Sequence, residues 1–279
     1  MRRSLNQPPG DTTVLLAVTR RTLVDRWRSL LAWSLGLVAI AALQLSVYPS
    51  VQKSATGMQQ FVEQWPKGLR DAFGLETYTT GAGYLNAELF TFIVPLVLIA
   101  VAVSAGAATT AGEEEHGTAD LLLALPVRRA TVLLARALAL LVVLAVLATL
   151  LTVTLVIGSR AVELDVDVQH VAAACGTAAL LGLLYGGLAL AAGALTGRRA
   201  AAVGVPVALA LAAFLVQALG GLADWLERFQ PYSPFHWAFA EQPLANGLDW
   251  QGVALLLGLT VAVLLRAALA YGRRDIRTG

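Results

Sequence analysis

The 279-residue chain is 57% apolar and 14% charged, with a formal net charge of +2. A soluble domain runs nearer about 45–50% apolar and about 25% charged, so a soluble fold is excluded, and the near-balanced charge gives no ground for a nucleic-acid partner. The apolar residues come in blocks of about 20, the length that crosses a ~30 Å hydrocarbon core at ~1.5 Å per residue, which predicts an all-α, multi-pass membrane protein.

Residues 1–28 are polar and charged, and read as a retained cytoplasmic lead before a first apolar run that serves as a signal anchor. Within them, residues 13–28 (TVLLAVTRRTLVDRWR) predict an amphipathic helix. Leu16, Leu23 and Trp27 fall along one face, and Arg21, Asp25 and Arg28 along another. Such a helix suits the membrane interface, in contact with lipid; the alternative is an uninterrupted extension of the first span. Six spans follow, over residues 29–48, 88–111, 130–157, 171–195, 200–222 and 250–271, with 272–279 as a tail. Pro95 and Pro206 are expected to kink the second and fifth spans. Gly182 with Gly186, and Gly193 with Gly197, have the spacing that lets helix backbones approach closely. Cys175, the one cysteine, lies inside an apolar run and cannot form an intrachain disulfide.

Six spans put both termini on the side of the second and fourth loops. That side carries fifteen arginines, among them Arg20, Arg21, Arg128, Arg129, Arg198 and Arg199, against five basic residues opposite. The asymmetry places both termini in the cytoplasm. Arg136 and Arg266, near the cytoplasmic ends of their spans, are expected to extend to the headgroups. Glu88 is read at the outer end of the second span, and no ionisable residue is expected at mid-depth, which weakens a proton-coupled carrier. Gln44, Ser104, Thr152, Tyr185 and Gln217 are polar residues within spans. They are candidates for a translocation path, with helix packing as the competing explanation.

The densest charge is cytoplasmic, in AGEEEHGTADLLLALPVRRA at residues 111–130. Thr110 and Glu113 have capping-box spacing, and Glu113, Glu114 and Glu115 suit a helix N-terminus. Gly117 restarts the chain, Thr118 is a candidate N-cap, and a two-turn helix over 119–125 ends at Pro126. Glu113 and His116 stand three residues apart, but His170 and His236 are expected on the opposite side, which leaves a metal site poorly supplied. A short helix with charged flanks also fits a docking element for a soluble partner.

The run from Glu113 through His116, Gly117, Thr118, Asp120, Leu121, Leu122, Leu125, Pro126, Arg128 and Arg129 resembles the loop between spans two and three of type-2 ATP-binding-cassette (ABC) permeases. The lead helix, the six spans and the outer segment 232–238 (YSPFHWA) extend the resemblance over most of the chain. It implies that these residues form a coupling helix contacting a separate ATPase present in two copies. It also implies that the chain pairs with a second copy or a homologous permease in a bacterial plasma membrane. ATP and Mg would then be held by the partner. The only lysines, Lys53 and Lys67, lack the context of a phosphate-binding loop, and no cofactor or metal is expected in this chain. The short outer loop between spans five and six fits export of a small amphipathic or lipophilic compound. An ATP-independent carrier or channel and a scaffold subunit are the rival readings. A membrane-embedded enzyme is disfavoured, because no catalytic groups converge at one depth.

Overall fold

The computed structural model describes residues 11–54, 64–65, 70, 78, 80–109 and 129–273. The expected coupling segment, residues 110–128, lies outside the described residues. Among those described the chain is helical and has no strand. Six helical stretches are long and apolar enough to cross a membrane: Trp27–Lys53, Gly81–Thr109, Ala130–Ala161, Val168–Thr196, Arg199–Leu222 and Trp250–Ala270, hereafter spans 1 to 6.

Helix α1 (Asp11–Asp25) precedes α2 (Trp27–Lys53), which is span 1. The two are separate helices because Arg26 takes a non-helical conformation (φ −109°, ψ 6°). Span 2 is composite. It begins with α3 (Gly81–Leu85), widens into a π-turn over Asn86–Phe90, and continues as α4 (Ile93–Thr109). The interruption at Thr91 and Phe92 sits just before Pro95, whose ring would crowd the carbonyl four residues back in a regular helix. Span 3 is α5 (Arg129–Ala161) and span 4 is α6 (Val168–Thr196). Span 5 is α7 (Arg199–Leu219), which runs on through Pro206 and ends in the 3-10 turn Gly220–Leu222. After α8 (Asp224–Glu227), α9 (Pro234–Phe239) and α10 (Pro243–Asn246), span 6 is α11 (Trp250–Arg273).

Helix α6 is the centre of the bundle and packs against α4, α5, α7 and α11. Its ends are fixed locally. The Asp167 carboxylate accepts from Gln169 N–H at 2.6 Å at the start, and Gly197 closes the other end in the left-handed region (φ 65°). Positive φ there is available to glycine without a Cβ clash. The short turn to α7 therefore begins at Gly197, and that residue is a cap. Gly182 and Gly186, by contrast, lie against span 2: a Cβ on Gly182 would stand 3.2 Å from the Leu98 carbonyl oxygen, and one on Gly186 2.9 Å from the Ala102 Cβ. From the other helix, Gly106 faces the Gly186 carbonyl.

Two sequence boundaries shift. Span 1 continues through Pro49 to Lys53, because one proline removes one helical donor without ending the helix here. Span 2 starts at Gly81, so Glu88 lies about two turns inside it rather than at its end. The connection between spans 5 and 6 also differs from a simple outer loop. Phe235 on α9 is buried against Tyr185 of α6 (ring centroids 6.3 Å apart) and Phe214 of α7 (5.6 Å). Tyr185 stands about five turns into α6 from Val168, the end that this connection borders, so the connection folds back into the bundle. Ser233 secures that return: its hydroxyl donates to the Ala213 carbonyl at 3.0 Å and accepts from Phe235 N–H at 3.2 Å.

Candidate functional site

At the end of the bundle where α4 stops and α5 starts, α1 lies across the helices. Its stripe Leu15, Val18, Thr19, Thr22 and Leu23 is buried or half-buried, which is the i, i+3, i+4 pattern of one packed helix face. The Thr19 hydroxyl is 3.1 Å from the Ala135 carbonyl of α5 and 2.8 Å from its own Leu15 carbonyl. Leu16 and Trp27 are 65% and 53% exposed and turn away from the bundle, while Leu23 at the edge of the same face touches it. Arg21 and Asp25 form an exposed pair at 3.8 Å on the remaining face, and the Arg28 guanidinium stands 5.5 Å over the Trp27 ring. So α1 packs one face on α5 and exposes the rest, where Leu16 and Val24 stand among Arg20, Arg21 and Asp25, and Trp27 is exposed at the start of α2.

Beneath α1, Arg136 is only 6% exposed, in a crevice it shares with Thr22, Arg26, Gly106 and Thr109. The expectation that Arg136 reaches outward to headgroups is corrected: α1 roofs the position, so the side chain is enclosed. Arg266 is exposed, as a headgroup-seeking arginine would be. Thr109 ends α4 and Arg129 begins α5; the expected coupling residues Glu113 to Arg128 lie outside the described residues.

The opposite end carries a second polar assembly. The Glu88 carboxylate accepts from the Tyr78 hydroxyl at 2.6 Å and from Gln44 Nε2 at 3.1 Å, and the Tyr84 hydroxyl donates to the Gln44 carbonyl at 2.7 Å. The Tyr84 ring stacks obliquely with Tyr48 (5.1 Å) and edge-on with Tyr78 (5.6 Å), closing span 1 onto span 2. Burial, and then the hydrogen bond to Glu88, push the Tyr78 phenol above its ordinary value of 10.0. A raised pKa keeps the phenol neutral in the folded state. Its contribution is therefore complete below about pH 10 and is lost as pH climbs toward the raised value. Thermal midpoints of the purified protein are expected to fall more steeply above pH 10 for the wild type than for Tyr78→Phe. Parallel curves would remove Tyr78 from the clasp.

The sequence matches the family described as ABC-2 family transporter protein over residues 16–276. The chain belongs to the ABC-2 transporter family. It is an ABC-transporter membrane permease subunit, an all-α multi-pass protein. A comparison with curated proteins gave no significant match.

The five polar span residues of the permease do not share one surface. Gln44 is taken up by the Glu88 clasp. Ser104 is exposed on span 2 and donates to its own Val101 carbonyl. Thr152 donates to the Ala148 carbonyl and lines an open groove of about 730 Å³ between spans 3, 4 and 6. Tyr185 is buried at 2% exposure, in ring contact with Phe235. Gln217 lines a smaller pocket beside Phe214 and Phe235. Tyr185 and Gln217 thus share the Phe214–Phe235 aromatic wall, and the other three stand apart from it. Missed from sequence were Tyr84 and the pairing of Tyr78 with Glu88, which complete the clasp, and Asn86, Phe90 and Gln242, which line the Gln217 pocket. The available signal was the cluster of tyrosines around Glu88; the others depend on tertiary folding.

Proposed function

We propose that this permease exports a small amphipathic or lipophilic compound, driven by a separate ATPase bound in two copies, in a bacterial plasma membrane with both termini cytoplasmic. Family membership over nearly the whole chain carries the reading. The charge asymmetry supports the orientation: the α1 end bears Arg20, Arg21, Arg26, Arg198 and Arg199, whereas Glu163, Asp165, Asp167 and Asp249 border the other. The chain performs no bond chemistry. ATP binding closes the partner, and residues 113–129 pass that motion to the spans through Thr109 and Arg129. Because α1 is hydrogen-bonded to α5, it moves with that span and carries its exposed Leu16 and Arg20 along the interface. ATP and Mg sit on the partner, and a second copy or a homologous permease completes the path.

The decisive experiment is recovery of the tagged permease from native membranes in mild detergent, with mass spectrometry of its companions. A soluble ATPase with a phosphate-binding loop is the expected companion. A reproducible complex without any ATPase would overturn the motor-driven reading and favour a carrier, channel or scaffold.

A further inference from the structure

The pocket beside Gln217 has a volume of about 180 Å³ and lies where span 2, α7 and the infolded connection meet. Four rings, Phe90, Phe214, Phe235 and Phe239, wall it, and Asn86, Gln217 and Gln242 are the amide residues of its lining. No charged side chain is among its lining residues.

Three separate irregularities converge here. Gln217 Oε1 is buried without a hydrogen-bond partner among the described residues, while the backbone carbonyl of the same residue accepts from Gln230 Nε2 at 3.0 Å. A buried acceptor left unmatched is uncommon and calls for a cause. Asn86 and Phe90 delimit the π-turn, where the Asn86 carbonyl accepts both from Thr91 N–H (2.8 Å) and from the Thr91 hydroxyl (2.9 Å). Such turns are found mostly as single-turn bulges, often at functional sites. Gln242 occupies the left-handed region with φ 48°, a conformation a non-glycine residue adopts at a cost. Each feature works against stability, and all three border one aromatic cavity.

We infer that this pocket is a binding subsite for a neutral aromatic group carrying a hydroxyl or N–H, which donates to Gln217 Oε1. The rings supply faces and edges for stacking, the orphaned acceptor fixes orientation, and the absence of lining charge favours an uncharged head. The volume is below the ~300–1,000 Å³ of drug-sized sites, so it accommodates about one substituted ring. The inference rests on the exporter reading and narrows its substrate class: an amphiphile with a phenolic or aryl-amide head, its apolar remainder in the lipid.

The test uses purified permease in phosphatidylcholine nanodiscs, without ATPase or nucleotide. The probe is a photoactivatable trifluoromethyl-diazirinyl phenol, compared with its analogue lacking the hydroxyl. After irradiation, peptide mapping is expected to place the label on residues 86–91 and 235–242. Labelling there is expected to drop about fivefold or more in Gln217→Leu, and equally for the hydroxyl-free analogue on the unaltered chain. Gln217→Leu removes no existing partner of Oε1 and retains the backbone bond from Gln230, so its thermal midpoint is expected to hold. Even labelling over lipid-facing residues such as Leu211 would overturn the subsite, as would labelling indifferent to both the substitution and the hydroxyl. Those results leave the exporter reading to the pull-down. A pull-down without an ATPase overturns that reading while specific labelling stands.

Discussion

Gly106→Ala is expected to lower the thermal midpoint of the solubilised permease by several degrees, whereas Gly204→Ala leaves it unchanged or raises it. Alanine in place of helical glycine contributes about 0.5–1 kcal/mol by propensity at either position. At Gly106 the new Cβ would sit 2.7 Å from the Gly186 carbonyl oxygen, 3.0 Å from the Ala189 Cβ and 3.2 Å from the Leu190 backbone nitrogen. Two of the three are backbone atoms of the central helix and cannot turn aside. Overpacking of this kind costs about 1–3 kcal/mol, which outweighs the propensity gain. Around Gly204 nothing lies within 4 Å, so only the gain remains. Equal midpoints for the two variants would mean that α4 and α6 are less closely apposed than described.

Glu115→Lys, and separately Gly117→Pro, are expected to abolish transport by the reconstituted complex while the permease retains its thermal midpoint and chromatographic profile. The first reverses charge in the acidic run that the coupling reading sets against the ATPase. The second imposes φ near −65° at the residue that restarts the chain before the expected short helix. Glu115→Lys is further expected to lose the ATPase in pull-downs. Transport assays on both variants check the assignment, and undiminished transport in both would remove residues 113–129 from the coupling role.

The spans were legible because their signal is length multiplied by hydropathy, and twenty apolar residues in a row leave few alternatives. Where that signal weakens, the start of a span is not marked in the sequence. Gly81 to Asn86 contains two glycines and an asparagine, yet Thr80 caps it, accepting from Gly83 N–H at 3.0 Å, and the helix forms. Arg136 was read from its own chemistry as headgroup-seeking; its burial depends on α1, which is distant in sequence and held by Thr19. Cys175, inside an apolar run, is fully enclosed. The Gln217 pocket was legible only as one polar residue in a span. Its other walls come from span 2 and from a connection that looks like a surface loop until Phe235 and Ala238 are seen buried. Segments whose partners are remote leave little local imprint on the sequence.

The glycine contacts between α4 and α6 also limit how the molecule can deform. With Gly106 against the Gly186 carbonyl and Gly182 against the Leu98 carbonyl, the two backbones interlock at two levels and leave no lubricating layer of side chains. Sliding one helix past the other would drive main-chain atoms through one another, whereas tilting both together disturbs neither contact. Helices α4 and α6 therefore behave as a single plank, and shape changes in the permease have to swing that plank rather than shear it.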